Sequence, residues 1–441
     1  MKIYNSLTRN KSLLQQKAVT IYSCGPTVYN YIHIGNARPA ILMDVLVRFL
    51  KSKNITVDYL QNITDIDDKI IAKAIEENKT EKEISKFYTK AYIDDLKSLN
   101  IFMPNKLEPI SKHIDKMIIF INDLIEQGYA YNVDGDVYFA INKWKPEYGE
   151  LSGRKPEELI SGERVEIDLK KKNPLDFSLW KKTNVGKTWN SPFGEGRPGW
   201  HTECALLIED YFNGETIDIH SGGIDLKFPH HENERIQYLA HNQKELSCIW
   251  MHNGHLNLND EKMSKSIGNV FLVKDFVKEY NANILRWIFL STNYKQPLNL
   301  TDDLIEQAKK FFDKLENLRK KVILSKTIFE RIEKSKIKNY VRDFEEAMDN
   351  DLNTSLVLSI IEELIKHINQ VVNQKVHFDC IFTLFGQLKH TLETLGFTDL
   401  LNVEIQEADE IKLKKWNQLI LDKKFEQADV LRAELEKKGL M

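Results

Sequence analysis

No stretch of this sequence is apolar for the roughly twenty residues that a bilayer-spanning helix needs, and Met1-Lys2-Ile3-Tyr4-Asn5-Ser6 has no apolar leader core. A membrane protein is excluded on that reading, and a cytoplasmic one is expected. Cysteine is scarce: Cys24, Cys204, Cys248 and Cys380 stand far apart, with no Cys-x-x-Cys pair. That excludes a disulfide framework and leaves metal ligation or plain burial. Cys248 and Cys380 lie in apolar runs and are expected in the core. A dominant charge is missing too, because 62 basic side chains meet 65 acidic ones for a formal net charge of −3. Any contact with nucleic acid must then come from local basic patches. The heavy use of lysine, isoleucine and asparagine is read as genomic base composition, so lysine clusters alone are poor evidence. No internal repeat is present.

What the sequence does have is length and one dense stretch. At 441 residues it exceeds a single ordinary domain. Between Tyr22 and Arg38 it runs Tyr-Ser-Cys-Gly-Pro-Thr-Val-Tyr-Asn-Tyr-Ile-His-Ile-Gly-Asn-Ala-Arg. The β-branched and aromatic run Val19 to Ser23 predicts a strand that Gly25-Pro26 stops, leaving Cys24 at its carboxyl end, where open α/β sheets place ligands. The run Ala37 to Lys51 carries apolar residues at helical spacing, so His33-Ile-Gly-Asn36 opens a helix. A helix start offers N–H groups and a positive dipole end to phosphate, although a tight turn with a surface histidine reads equally well in isolation.

Further along, Thr56 to Gln61 reads as a second strand, parallel to the first, and Asp65 or Asp67 as the cap of the next helix. Helical runs follow over Lys69 to Asn78, Glu81 to Leu99 and Ile110 to Gln127, and a hairpin turns at Asp134-Gly135. Residues from Ile101 to about Gly196 are read as an insertion, since sheet-like pattern resumes only at Thr216 to His220. Cys248 to Asn253 is a further short strand. Beyond Asn281 only helical spacing remains, which predicts a bundle, then a linker over Asn402 to Glu410 and two last helices.

Three constellations carry chemistry. His33-Ile-Gly-Asn36 is one. Lys262-Met-Ser-Lys265-Ser266 is the second, a loop that can lay two ammonium groups on a triphosphate or simply be a solvated charged loop. In the third, His230 and Glu234 stand four apart and share a helix face, which is metal-ligand spacing. Cys24 and Cys204 are the thiols able to join them, and Cys, Cys, His and Glu suit zinc; buried thiols beside a helix-capping histidine are the plain alternative. His201 and His231 adjoin these residues as further donors.

The first two motifs together resemble the signature of class I aminoacyl-tRNA synthetases, with Asn36 where the family usually has a second histidine. The resemblance narrows to the cysteinyl-tRNA synthetase family through Tyr22 to Tyr29, Asn62-Ile-Thr-Asp-Ile-Asp-Asp-Lys69, Arg197-Pro-Gly-Trp-His-Thr-Glu-Cys204, Asp218 to Leu226, Phe228-Pro-His-His-Glu-Asn-Glu234, Trp250-Met-His-Asn-Gly254 and Lys262 to Asn269, all in the family's order. It implies an α/β chain: a Rossmann-like parallel-sheet catalytic domain over 1–295 with the insertion at 101–196, an α-helical bundle over 296–401 that binds tRNA, and a small helical segment over 402–441 that reads the anticodon and stops before the Gly- and Trp-containing tail usual in the family. It further implies one zinc on Cys24, Cys204, His230 and Glu234, with Trp200 and His220 lining the cysteine pocket. ATP with Mg2+ would be held by His33, Gly35, Asn36, Asp225 and Lys265, with His33, Lys262 and Lys265 the catalytic groups. The partners implied are L-cysteine and its tRNA, with the chain acting as a monomer and carrying no editing domain. Two rival readings are a cysteine ligase that joins cysteine to an amino sugar in mycothiol biosynthesis, and a non-catalytic zinc- or tRNA-binding relative.

Overall fold

A computed structural model describes residues 1–154, 169–258, 261–262, 270–328, 337–374 and 378–441. These residues divide into two compact units, Met1–Tyr280 with Tyr294–Asn299, and Asn281–Asn293 with Leu300–Met441. Among the described residues, no helix is long and apolar enough to cross a membrane.

The first unit is built on a five-stranded parallel sheet. A short hairpin, β1 (Lys2–Asn5) and β2 (Asn10–Leu13), precedes β3 (Ala18–Ser23), and β4 (Thr56–Ile63) and β5 (Lys106–Pro109) follow. With β10 (Ile217–Gly223) and β11 (Ser247–Asn253) the order is β11-β10-β3-β4-β5, every pair parallel. The reversal between β3 and β10 makes the crevice at the carboxyl ends of these strands a natural ligand site. Because β5 belongs to this sheet, the excursion expected from Ile101 begins only after it. That excursion contains a four-stranded antiparallel sheet, β6 (Ala130–Val133), β7 (Asp136–Phe139), β8 (Phe177–Lys182) and β9 (Gly196–Pro198).

Helix α1 (Ile34–Ser52) connects β3 to β4 and is buried on nearly every side, from Ile34 to Leu50, because sheet and neighbouring helices both cover it. Helices α2 (Asp68–Glu77) and α3 (Glu81–Ser98) each start on a side-chain cap, Asp67 accepting from the Lys69 N–H and Thr80 from that of Glu83. Helix α4 (Ile114–Glu126) follows β5. Helix α5 (Trp200–Tyr211) buries Cys204 to Ile208, and α6 (Glu232–Asn242) is entered through a wound turn at Lys227–His231. Helix α7 (Val273–Tyr280) ends the continuous part of the unit.

The described residues of the second unit are mainly helical: Ala282–Leu290, Asp302–Ile328, Tyr340–Asp349, Thr354–Asn373, Phe378–Thr394, Glu407–Leu421 and Phe425–Lys437. Asn281, Asn339 and Asn353 cap three of them through their side-chain oxygens. The unit thus starts at Asn281, ahead of the expected boundary at 296. The last two helices do not form a separate body either, since Leu413, Leu435 and Leu440 pack with Ile323.

Candidate active site

The carboxyl ends of β3, β4, β10 and β11 frame a cleft of about 380 Å³ whose wall includes Cys24, His33, Gly35, Asn36, Lys69, Trp200, Asp225 and His230. Gly25 lets the chain pass this close to β4, because a Cβ there would stand 1.8 Å from the Asn62 carbonyl oxygen.

One end of the cleft is a buried cluster of thiols, imidazoles and one carboxylate. Ligand atoms of Cys24, Cys204, His230 and Glu234 all lie within 4.8 Å of one another. Cys24 Sγ is 3.8 Å from Cys204 Sγ and 3.7 Å from Glu234 Oε1, and Cys204 Sγ is 3.6 Å from His230 Nε2. A tetrahedral zinc with ordinary bond lengths requires edges of about 3.8 Å between sulfurs and about 3.6 Å from sulfur to nitrogen or oxygen. His230 Nε2 and Glu234 Oε1 are closer, at 2.7 Å, where about 3.4 Å suits a shared metal; a proton joins them instead. Burial disfavours charge on His230, but Glu234 and Cys204 outweigh it and hold its pKa up at about 10. Burial likewise opposes the Glu234 carboxylate, yet His230 and His220 draw it well below the usual range. Burial and the neighbouring Cys204 push the Cys24 thiol up.

A second set, Cys24, His220, His231 and Glu234, meets the same distance limit. The first set fits zinc better, because it supplies two thiols. His201 Nδ1 lies 3.0 Å from His230 Nδ1, and burial together with His230 keeps His201 neutral, with its pKa lowered to about 3. His201 therefore accepts from His230 and leaves Nε2 for a metal. His220 Nδ1 has no partner among the described residues. His231 Nε2 stands 3.3 Å from Cys24 Sγ while its Nδ1 meets His252 at 2.8 Å, and His252 continues to Ser6 at 2.8 Å.

His220 is not on the cleft wall. It is fully buried, stacked on Trp250 with ring centroids 4.4 Å apart, and its Nε2 lies 2.7 Å from Glu234 Oε2. It holds Glu234 rather than lining a pocket. Trp200 does line the cleft, 41% exposed and stacked on His230 at 4.0 Å.

The other end is the start of α1. Its first N–H groups are less available than the sequence suggested: Ile34 donates to the Phe271 carbonyl and Asn36 to that of His33, leaving Gly35. Asn36 is exposed, and its side-chain oxygen accepts the His33 N–H at 3.2 Å, so its amide NH2 is turned away from that bond. Asn36 thus closes the cap that starts the helix. A Cβ at position 35 would press on the His33 ring at 2.9 Å, so any larger residue there would push that ring aside. Asp225 folds back over Gly223, where a Cβ would stand 2.3 Å from its Oδ1. Lys262 belongs to the short strand Glu261–Lys262, opposite Asn257 and Leu258. Lys265 lies outside the described residues.

Two positioning groups escaped the sequence reading. Arg38, buried on α1, donates to the carbonyls of Gly254 at 2.7 Å, His255 at 2.9 Å and Gln296 at 2.8 Å, tying the helix to the opposite wall. Burial lowers its pKa to about 10. Asn62 accepts from the Gly25 N–H at 2.7 Å and the Tyr22 hydroxyl at 3.0 Å and donates to Thr64, which donates to Glu203 at 2.8 Å. This chain fixes the Cys24 loop against the helix carrying Cys204. Polar letters inside a buried strand, Gln61-Asn62, were the available signal. Cys380 is buried as expected, but Cys248 is exposed, because it sits at the start of β11, the edge strand.

The family model described as the tRNA synthetases class I (C) catalytic domain matches residues 10–310, and a DALR domain model matches 343–398. The cysteine–tRNA ligase of Mycoplasma capricolum is 59% identical over 445 residues, covering 100% of both chains. That of a Geobacillus species is 40% identical over 456 residues, covering 100% of this chain and 97% of its own. In solved structures, the methionyl-tRNA synthetase of Mycobacterium tuberculosis in complex with methionyl-adenylate superposes with a TM-score of 0.67 over 90% of this chain and 93% of that one, at 13% identity, which establishes the fold. With its Rossmann-like parallel sheet, its helical unit and relatives matched from end to end, the chain belongs to the cysteine–tRNA ligases, a family of class I synthetases.

Proposed function

We propose that this chain charges tRNA with L-cysteine through a cysteinyl-adenylate, using zinc to choose the amino acid. The observation that carries the reading is the cluster of Cys24, Cys204, His230 and Glu234, whose sulfur edges are those of a tetrahedral zinc and which opens, through Cys24 and His230, on the same cleft as the His33 helix start. Zinc bound there would accept the substrate thiolate and reject serine, whose hydroxyl is a poor ligand and stays protonated. His230 gives up its Nε2 proton when it becomes a ligand, and His201 and His220 keep His230 and Glu234 in place. Trp200 covers the bound side chain from the cleft wall.

The cysteine carboxylate attacks the α-phosphorus of ATP and pyrophosphate leaves; the terminal ribose hydroxyl of the tRNA then attacks the adenylate carbonyl and AMP leaves. In this reading His33, the Gly35 N–H and the Asn36 amide take the phosphates, which arrive with Mg2+, and Asp225 takes the ribose. Lys262 and Lys265 neutralise the charge that spreads over the phosphates in the transition state. The test is cysteine-dependent exchange of pyrophosphate into ATP, followed by a choice of acceptors. Exchange with transfer to tRNA is expected. Transfer to an amino sugar but not to tRNA would install the small-molecule ligase instead, and no exchange would leave a binding protein.

A further inference from the structure

Helix α3 turns Ile84, Tyr88 and Tyr92 into the core, and at the edge of that face Phe87 is 53% exposed. It does not stand alone. Tyr31, two residues before His33, meets Phe87 at 6.1 Å and Tyr88 at 5.4 Å, all edge to face, and Phe87 and Tyr88 are 5.0 Å apart. Lysine ammonium groups sit over these and adjoining rings: Lys274 at 3.5 Å from Tyr31, Lys79 at 6.0 Å from Phe87 and Lys69 at 5.6 Å from Tyr29. The patch runs into the cleft, whose wall includes Lys69 and Tyr92. Of the nearby carboxylates, Glu77 is engaged by Lys73 and Lys79 and Glu83 by the Thr80 cap, while Asp95 is buried within the field of Lys274.

An exposed ring held by half-buried and buried ones, with cations beside it, offers an unpaired nucleic-acid strand a face for a base and positive charge near its phosphates, without dependence on sequence. We propose that Phe87, backed by Tyr31 and Tyr88 and flanked by Lys69 and Lys274, seats the unpaired 3′ strand of the tRNA where it enters the cleft. The inference rests on the tRNA-charging reading given above, and it adds a location and a set of residues. Tyr88 and Tyr31 hold the outer ring edge on, and Phe87 offers its free face to a base. A globular protein partner is the competing occupant of such a patch, and it would show no dependence on the tRNA end.

The test compares Phe87→Ala with the parent chain, binding intact tRNA and tRNA lacking its unpaired 3′ nucleotides. Loss of one stacking face should weaken intact tRNA by about 5- to 10-fold, raise its KM in charging equally, and leave binding of the shortened tRNA unchanged. Phe87→Trp, which keeps a face, should stay within about twofold of the parent. Pyrophosphate exchange, measured without tRNA, should be the same in all three chains. Unchanged affinity of Phe87→Ala for intact tRNA would overturn the proposal, as would an equal loss on both tRNAs or a loss in Phe87→Trp as large as in Phe87→Ala. Absence of exchange in the parent chain would instead remove the charging reading beneath it.

Discussion

The two ends of the cleft are built in opposite ways. At the cysteine-and-histidine end, Cys204, His220, His230, His231 and Glu234 are all buried and each is oriented by another side chain. At the helix-start end, Asn36 is exposed, and the polar groups are backbone N–H, a capping amide and a loop strand. On the proposed function, the difference follows from what each end must distinguish. Telling a thiol from a hydroxyl needs short directional bonds held without slack. Neutralising a triphosphate needs only charge in the right region, which a helix dipole and lysines supply. Errors of a few tenths of an ångström should therefore matter at the first end and be absorbed at the second.

Substitutions can break or sharpen this contrast. The largest effect is expected for Cys204→Ser, which should take bound zinc from about one per chain towards none and raise the KM for cysteine far more than that for ATP; elemental analysis with steady-state kinetics checks it, and undiminished zinc would remove Cys204 from the ligand set. His201→Ala removes only the acceptor behind His230 and should weaken zinc by about 10- to 100-fold, read by competition with a chromogenic chelator. Arg38→Met leaves three carbonyls, that of Gly254 buried, without their donor and should cost about 1–3 kcal/mol of stability, seen as a lowered Tm with zinc content retained. Asn36→Ala removes one capping bond, an effect of about 1 kcal/mol, and should lower the exchange rate without altering selection of cysteine over serine. Smallest of all, Cys248→Ser should abolish the fastest phase of thiol alkylation and change nothing else, since Cys248 is the exposed thiol.

The sequence carried the sheet, the helical unit and the site to different degrees. The apolar run at β3, the Gly25-Pro26 stop and the helix pair at the C-terminus were legible because each depends on local spacing. His230 and Glu234 were legible as a pair by their interval; joining Cys24 and Cys204 to them needed the resemblance, because spacing says nothing about residues 180 positions apart in the chain. The helix Trp200–Tyr211 was missed: Cys204 to Ile208 are buried on every side, so the period that marks a surface helix is absent. The strands β8 and β9 were missed as well, because they stand in a stretch rich in Gly, Pro and Lys and pair with segments distant in the chain, β8 with β7 and β9 with β8. Arg38 was invisible for a different reason. Its letter reads as a solvated cation, and only the fold brings three carbonyls of two other segments to it.

The central claim is that a metal on Cys24, Cys204, His230 and Glu234 selects the amino acid activated in the neighbouring part of the cleft. Pyrophosphate exchange into ATP, measured with cysteine and with serine before and after metal is stripped and zinc restored, tests it most directly. The account predicts exchange with cysteine that is lost on stripping and regained with zinc, and no exchange with serine in the loaded chain. Undiminished exchange in the stripped chain, or serine serving as well as cysteine in the loaded one, would contradict it.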